Sequence, residues 1–107
     1  MRRACKLDRN HAEIVEGLAA IGAKVQSLAP MGGGVPDLLA GFRGFNILLE
    51  VKDGSLPPSQ RQLTKAEAQW HATWLGQRAV VHSVLEAQIV VINHAVRCEE
   101  NGRQPKA

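Results

Sequence analysis

Apolar residues recur at helical spacing in some stretches of this chain and in short β-branched runs in others. Ile14 and Leu18 lie on one face of a helix predicted over residues 8–21, and Gly22 supplies its stop. Runs of four to eight apolar residues between turn residues predict strands. The predicted elements are helix 8–21, strand 24–28, strands 35–40 and 45–52, helix 65–75, strand 79–82 and helix 84–98.

Capping and turn residues set the boundaries of these elements. Thr64 with Glu67, and Ser83 with Glu86, form two capping-box patterns that open the second and third helices. Residues 41–44 have glycine at both ends, which predicts a four-residue hairpin turn. Residues 29–34 end in three glycines and predict a mobile loop. The order helix, strand, hairpin, helix, strand, helix predicts an α/β sandwich with a small sheet flanked by helices.

Length and composition narrow the class of protein. The 107 residues fit a single domain, which we assign to residues 1–98, with a polar tail at 99–107 that we expect to be disordered. The apolar runs are too short to cross a membrane, and the basic start lacks the apolar segment of a signal peptide. Cys5 and Cys98 have no paired spacing, so we expect a soluble protein of a reducing cytoplasm. The net charge of +3 permits a polyanionic partner without indicating one.

Two acids and a lysine stand out on the predicted hairpin. Side chains alternate along a strand, so Glu50 and Lys52 share one face of the second hairpin strand. Asp37 begins the first strand. Pairing Ala40 with Phe45 across the turn would set Asp37 opposite Leu48, with Glu50 as its diagonal neighbour at ~7 Å. A bulge would change that register.

Converging carboxylates of this kind favour a divalent metal. Two acids repel each other unless a cation lies between them, and oxygen ligands suit Mg²⁺ or Mn²⁺. Lys52 can position or activate a water against a phosphate and stabilise the charge that develops there. The residues therefore outline a site for phosphodiester hydrolysis.

The same residues resemble a known nuclease motif. Pro36-Asp37, twelve intervening residues and then Glu50-Val51-Lys52 are similar to the signature of the PD-(D/E)xK nuclease superfamily. Residues 34–86 resemble its VRR-NUC branch, small phage and bacterial nucleases related to Holliday-junction resolvases, through Gly-Val-Pro-Asp-Leu-Leu, Leu-Glu-Val-Lys and the Leu63-Thr64 helix start with Trp70. The resemblance implies a three-layered restriction-endonuclease-like fold, with a small mixed β-sheet whose catalytic hairpin is flanked by helices.

The resemblance also implies roles. Asp37, Glu50 and Lys52 would be catalytic, with Asp37, Glu50 and the Val51 carbonyl binding Mg²⁺ or Mn²⁺ and Lys52 serving the attacking water. The family commonly adds a contact from the first helix, usually an acid. His11 lies on the core-facing stripe and is the better geometric candidate, whereas Glu13 is the better chemical one. The family often has Gln where this chain has Glu67.

Basic and aromatic residues bear on a DNA partner. Arg43, Arg61 and Lys65 lie in or near loops and are phosphate-binding candidates, alongside a basic arm formed by Arg2, Arg3, Lys6 and Arg9. Trp70 and Trp74 are four residues apart on one helical face. They can stack on unpaired bases, although packing in the core or at a dimer seam is the more common role.

We therefore expect a metal-dependent DNA endonuclease in a bacterial or phage-infected cell, acting as a homodimer on branched DNA such as a Holliday junction. The alternatives are an adaptor that keeps the fold without turnover and a nicking nuclease on linear DNA. The sequence leaves open whether the third helix, with Leu85, Ile89, Val90 and Ile92, completes the core or forms the dimer seam.

Overall fold

The computed structural model describes residues 7–101. The chain forms a compact α/β domain, and the order of its helices and strands confirms the sequence prediction. No helix within residues 7–101 is long and apolar enough to cross a membrane. The elements are α1 (His11–Ala20), β1 (Lys24–Ser27), β2 (Leu38–Phe42), β3 (Phe45–Val51), α2 (Lys65–Thr73), β4 (Arg78–Val81) and α3 (Val84–Glu100).

The four strands form one mixed sheet in the order β1-β2-β3-β4. The first three strands are antiparallel neighbours, and β4 joins β3 in parallel after the crossover that contains α2. Helices α1 and α3 pack against each other and against the sheet. The core between them is aliphatic and includes Ile14, Leu18, Leu38, Leu49, Val51, Val81 and Val91.

The hairpin register differs from the prediction by two residues. Ala40 pairs with Ile47 rather than Phe45, because the turn has two residues instead of four. Arg43 and Gly44 make this turn with φ of 55° and 88°, the left-handed conformations of the tight turns that suit strand twist. Leu38 pairs with Leu49, so the register continued by one residue sets Asp37 directly opposite Glu50. A shift of two residues keeps every side chain on its predicted face.

The segment predicted as a mobile glycine loop is partly ordered. Residues Ala29–Met31 form one turn of 3-10 helix, and the first hairpin strand begins at Leu38 rather than at residue 35. Gly34 has φ of +87° and lies against the start of α2, where a Cβ would come within 2.6 Å of the carbonyl carbon of Ala66. The last glycine therefore joins this loop to α2 by a close approach that only glycine permits.

The helix ends also differ from the predictions. Helix α1 begins at His11, after a turn at residues 8–10, and α2 ends at Thr73. Helix α3 continues to Glu100, so residues 99–100 are helical rather than part of a tail. The Ser83 side chain caps α3 by accepting from Glu86 N, but the Glu86 carboxylate accepts from the His82 N–H and not from that of Ser83. The prediction of a reciprocal capping box is therefore wrong at this helix.

Several residues of the sequence predictions lie outside the described residues: the tail residues 102–107, Cys5, and Arg2, Arg3 and Lys6 of the basic arm.

Candidate active site

Asp37, Glu50 and Lys52 meet at one edge of the sheet, where β3 ends. Asp37 Oδ2 accepts a hydrogen bond of 2.9 Å from the Val51 N–H, which fixes the Asp37 carboxylate against the backbone of β3. Lys52 Nζ lies 3.7 Å from Glu50 Oε2. Glu50 is only 2% exposed, and Val51 directs its own side chain into the core. The structure thus brings together the three residues predicted as catalytic.

A third acid, Glu67 on α2, completes the surroundings of the lysine. Glu67 Oε1 accepts from Lys52 Nζ at 2.7 Å and from the Thr64 N–H at 2.8 Å. Thr64 in turn accepts from Glu67 N, so the predicted capping box is confirmed. One carboxylate therefore caps α2 and holds the Lys52 ammonium. In the sequence, Glu67 stands where the resembled family often has Gln, and the part of Glu67 in the capping box concealed its place in the site.

Burial and like charge act together on Glu50. Removal from water raises the pKa of this carboxyl most, followed by the negative charges of Asp37 and Glu67 and a hydrogen bond to Asp37. Lys52 offsets only part of this, and the pKa of Glu50 reaches about 9. Its Oε1 atom is buried without a hydrogen-bond partner among the described residues. A cation beside Glu50 would satisfy both this oxygen and the excess negative charge.

Lys52 is a fixed ammonium rather than a neutral amine. Burial lowers the pKa of Lys52, but the hydrogen bond to Glu67 and the charges of Glu67, Glu50 and Asp8 outweigh it, so the net shift is upward. Burial likewise raises the pKa of Glu67, and its bonds from Lys52 and Thr64 reverse that into a net decrease. The pair is ionised at neutral pH, so Lys52 can orient a nucleophile or stabilise charge but cannot take up a proton.

Asp8, in the turn before α1, is a site residue that the sequence analysis missed. Burial raises its pKa, Lys52 lowers it, and Asp37, Asp53 and Glu67 raise it further, which places Asp8 in the same field of charges. Asn10 explains why this turn lies here, since its side-chain amide donates to the carbonyls of Lys52 at 3.2 Å and His82 at 3.0 Å. Those bonds fasten the start of α1 to the ends of β3 and β4.

His11 and Glu13, the two first-helix candidates, lie in different surroundings. His11 is buried on the core side of α1 with Ile14 and Leu18, as the stripe predicted. Its Nδ1 atom is buried without a partner within residues 7–101. Glu13 is exposed and lines a separate cleft, so it does not join the carboxylate cluster. Asp8, just before this helix, is instead the acid whose pKa responds to the charges of Lys52 and Asp37.

The predicted phosphate-binding residues are spread over the surface. Arg61 lines a cleft of about 430 Å³ with Arg9, and its Nη1 atom donates to the Gly54 carbonyl. Arg43 lies at the hairpin turn, about 20 Å from the carboxylates by strand length, and pairs with Glu99 at 3.6 Å. Lys65 is exposed at the first residue of α2. Arg43 is therefore separated from the site by the length of the hairpin, and Arg61 lies in the same separate cleft as Glu13.

Arg9 organises the rim of that cleft. Its guanidinium contacts Asp53 Oδ2 at 3.2 Å and Ser55 Oγ at 2.6 Å. Hydrogen bonds from the Ser55 side chain and backbone, followed by those from Arg9, lower the pKa of Asp53 to about 2. Asp53 is therefore an ionised structural acid that anchors Arg9 and the loop after β3.

The donor atoms at the site fit a divalent cation. Within residues 7–101 the side chains do not form a ready-made group of three or more His, Cys, Asp or Glu ligands. Mg²⁺, however, is commonly held by one or two carboxylates and keeps several waters. Asp37 and the Glu50 Oε1 atom, which has no hydrogen-bond partner among the described residues, supply two such oxygens.

Comparison with known proteins adds no family to this description. No protein-family model, curated protein or solved structure matches the chain. Any functional conclusion therefore depends on the chemistry of the clustered carboxylates and the lysine.

Proposed function

We propose that this protein is a Mg²⁺- or Mn²⁺-dependent DNA endonuclease of the PD-(D/E)xK superfamily and its VRR-NUC branch, with a restriction-endonuclease-like fold. The observation that carries the proposal is the convergence of Asp37, Glu50 and Lys52 at the end of β3. Glu50 keeps a buried oxygen without a partner among the described residues, in a cluster where acids outnumber the single lysine. That arrangement supports a site built to hold a cation.

Each residue has a defined task in this proposal. Asp37, Glu50 and the Val51 carbonyl would hold the metal, which supplies Lewis-acid activation of the phosphodiester. The Lys52 ammonium orients the attacking water and stabilises negative charge on the phosphate. Glu67 keeps Lys52 protonated and in place through its 2.7 Å bond. Asp8 adds negative charge to the same cluster.

A homodimer acting on branched DNA is part of the proposal. The apolar residues of α3 lie on two different faces of the helix. Val91 is in the core, whereas four others are 37–65% exposed: Leu85, Ile89, Ile92 and Val96. These four repeat at intervals of four, three and four residues and form one outward stripe on α3. A twofold axis between Val90 and Val91 would set Leu85 against Val96 and Ile89 against Ile92 of a second copy. Such a stripe is self-complementary, as a symmetric interface requires.

Cleavage of a synthetic four-way junction in Mg²⁺ or Mn²⁺ tests the proposed activity. We expect the wild type to cut, and Asp37→Ala and Lys52→Ala to lose at least about a hundredfold in rate, because each removes charge stabilisation from the site. Glu13→Ala is the matched control and should cut normally, since Glu13 is exposed away from the cluster. Absence of cleavage by the wild type, or equal cleavage by the three variants, would overturn the proposal.

Two further measurements separate the related alternatives. An adaptor without turnover would give no carboxylate-dependent heat in a Mn²⁺ titration, whereas the proposed nuclease should bind Mn²⁺ and lose that binding in Asp37→Ala. A nicking nuclease on linear DNA would use the same residues. Comparison of junction, flap and linear duplex substrates at equal concentration distinguishes it, with faster cutting of the junction expected here.

A further inference from the structure

An apolar cleft lies on the same face of the sheet as the carboxylates. It encloses about 290 Å³, and its lining atoms are almost entirely apolar. The residues around it are Leu39, Asn46, Ile47, Leu48, Trp74 and Gln77. Neither the metal nor the proposed hydrolysis uses any of these side chains.

The floor of the cleft is formed by the β2–β3 residue pair that lies next to Asp37 and Glu50 on the same face of the sheet. Leu39 pairs with Leu48, and each lies two residues from a catalytic acid, Asp37 on one strand and Glu50 on the other. Residues two apart on a strand share a face and are separated by about 7 Å. If a phosphate is held at the carboxylates, the base of the neighbouring nucleotide is therefore close enough to enter the cleft.

One wall of the cleft is a partly exposed aromatic ring held in a fixed position. Trp74 is 43% exposed and stacks on Trp70 with ring centroids 4.6 Å apart and planes inclined by 18°. Its backbone N–H bonds to the Trp70 carbonyl at the end of α2. A ring that is already ordered loses little freedom when a flat ligand stacks on it.

Two of the lining residues and a neighbouring arginine carry polar side chains. Asn46 and Gln77 carry side-chain amides, which both donate and accept hydrogen bonds. Arg78 is the strand partner of Leu48 and so lies on the same face. Its Nε bonds to the His71 carbonyl at 2.9 Å, and the side chain remains exposed. A positive charge on the strand residue next to Leu48 favours an anionic ligand for the cleft.

We propose that this cleft binds an unpaired nucleobase of the DNA substrate, stacked on Trp74, next to the nucleotide whose phosphate is cut. The inference rests on the proposed nuclease function and deepens it. The protein would then select flaps, overhangs and the crossover of a junction over continuous duplex, because a base there is already unpaired or loses less stacking when it leaves the helix.

Binding of a short single-stranded oligonucleotide, measured without metal, tests the cleft apart from catalysis. The Trp70→Phe variant retains Trp74 as the sole tryptophan, so quenching of its fluorescence reports stacking. We expect quenching by a thymidine oligonucleotide, and about tenfold weaker binding of the same strand made abasic. By fluorescence anisotropy of a dye-labelled oligonucleotide, a readout that needs no tryptophan, Trp74→Ala should remove this difference between the strands, Trp74→Phe should retain it, and Leu75→Ala, at a neighbouring residue that is 99% exposed, should leave it unchanged.

The outcomes distinguish the cleft from the nuclease. Base-dependent binding without any metal-dependent cleavage would support the cleft and overturn the nuclease proposal. Cleavage by the wild type with equal affinity for normal and abasic strands would overturn the cleft alone. Equal binding by Trp74→Ala and the wild type, with unchanged circular dichroism, would also overturn it.

Discussion

Glu50 is the residue on which stability and the proposed activity oppose each other. The unfolded chain would release its proton near pH 4.5, whereas the fold retains it until about pH 9. Between those values the unfolded state binds fewer protons than the folded state, so the free energy of unfolding should fall as pH rises from 4.5 to 9 and level off above. A cation held by the carboxylate form would remove this loss.

Replacing Glu50 with Gln should therefore stabilise the metal-free protein. Glutamine has the shape and the hydrogen-bonding capacity of the protonated acid, but it does not titrate, so its contribution to stability does not change with pH. At pH 7.5 we expect the free energy of unfolding to rise by on the order of 2 kcal/mol, and the slope with pH to flatten. Urea unfolding at several pH values measures both. Glu13→Gln, at an exposed position, should change neither, and a Glu50→Gln protein less stable than the wild type would contradict this reading.

At the level of elements, the contact between the glycine loop and α2 sets the position of Glu67. Gly34→Ala would force a Cβ against the Ala66 carbonyl as well as a strained φ of +87°. Gly33→Ala shares the positive φ, at +70°, but its Cβ would meet no atom within 4 Å among the described residues. We expect a cost of about 1 kcal/mol for Gly33→Ala and at least about 3 kcal/mol for Gly34→Ala.

The activity of these two variants should also differ. Displacement of α2 moves Glu67 away from Lys52, so Gly34→Ala should cut more slowly even where it is fully folded, whereas Gly33→Ala should cut at the wild-type rate. Thermal unfolding and cleavage below both transition temperatures check this. Equal losses in the two variants would show that the contact with Ala66 has no special role.

The order of the helices and strands, and the face of the sheet on which each strand residue lies, were predictable from the sequence. Both depend on the spacing of apolar residues and on helix caps, which are local properties of the chain. The register was not predictable. A two-residue turn requires Arg43 in a left-handed conformation, which the glycines at 41 and 44 gave no reason to expect. Asp8 was missed for a similar reason. It lies in a turn whose position depends on Asn10 bonding to the ends of β3 and β4, and those contacts join residues far apart in the chain.

The whole molecule is small, and the α3 stripe indicates how it could gain a larger DNA-binding surface. We expect the wild type to sediment as a dimer at micromolar concentration. Ile89→Lys should give a monomer of 11.6 kDa that remains folded, because this residue is 47% exposed and lysine can extend into solvent. Leu75→Lys, at an exposed apolar residue away from α3, should remain dimeric. A monomeric wild type would contradict the proposed interface.

The measurement that tests the central claim most directly is single-turnover cleavage of a four-way junction by the wild type and by Glu50→Gln, with Mg²⁺ and with EDTA. The wild type should cut only with the metal. Glu50→Gln should be folded, at least as stable as the wild type and at least about a hundredfold slower. Loss of activity in a protein of higher stability cannot come from unfolding. Cleavage by Glu50→Gln at the wild-type rate, or cleavage by the wild type that is unaffected by EDTA, would contradict the metal-dependent nuclease proposed here.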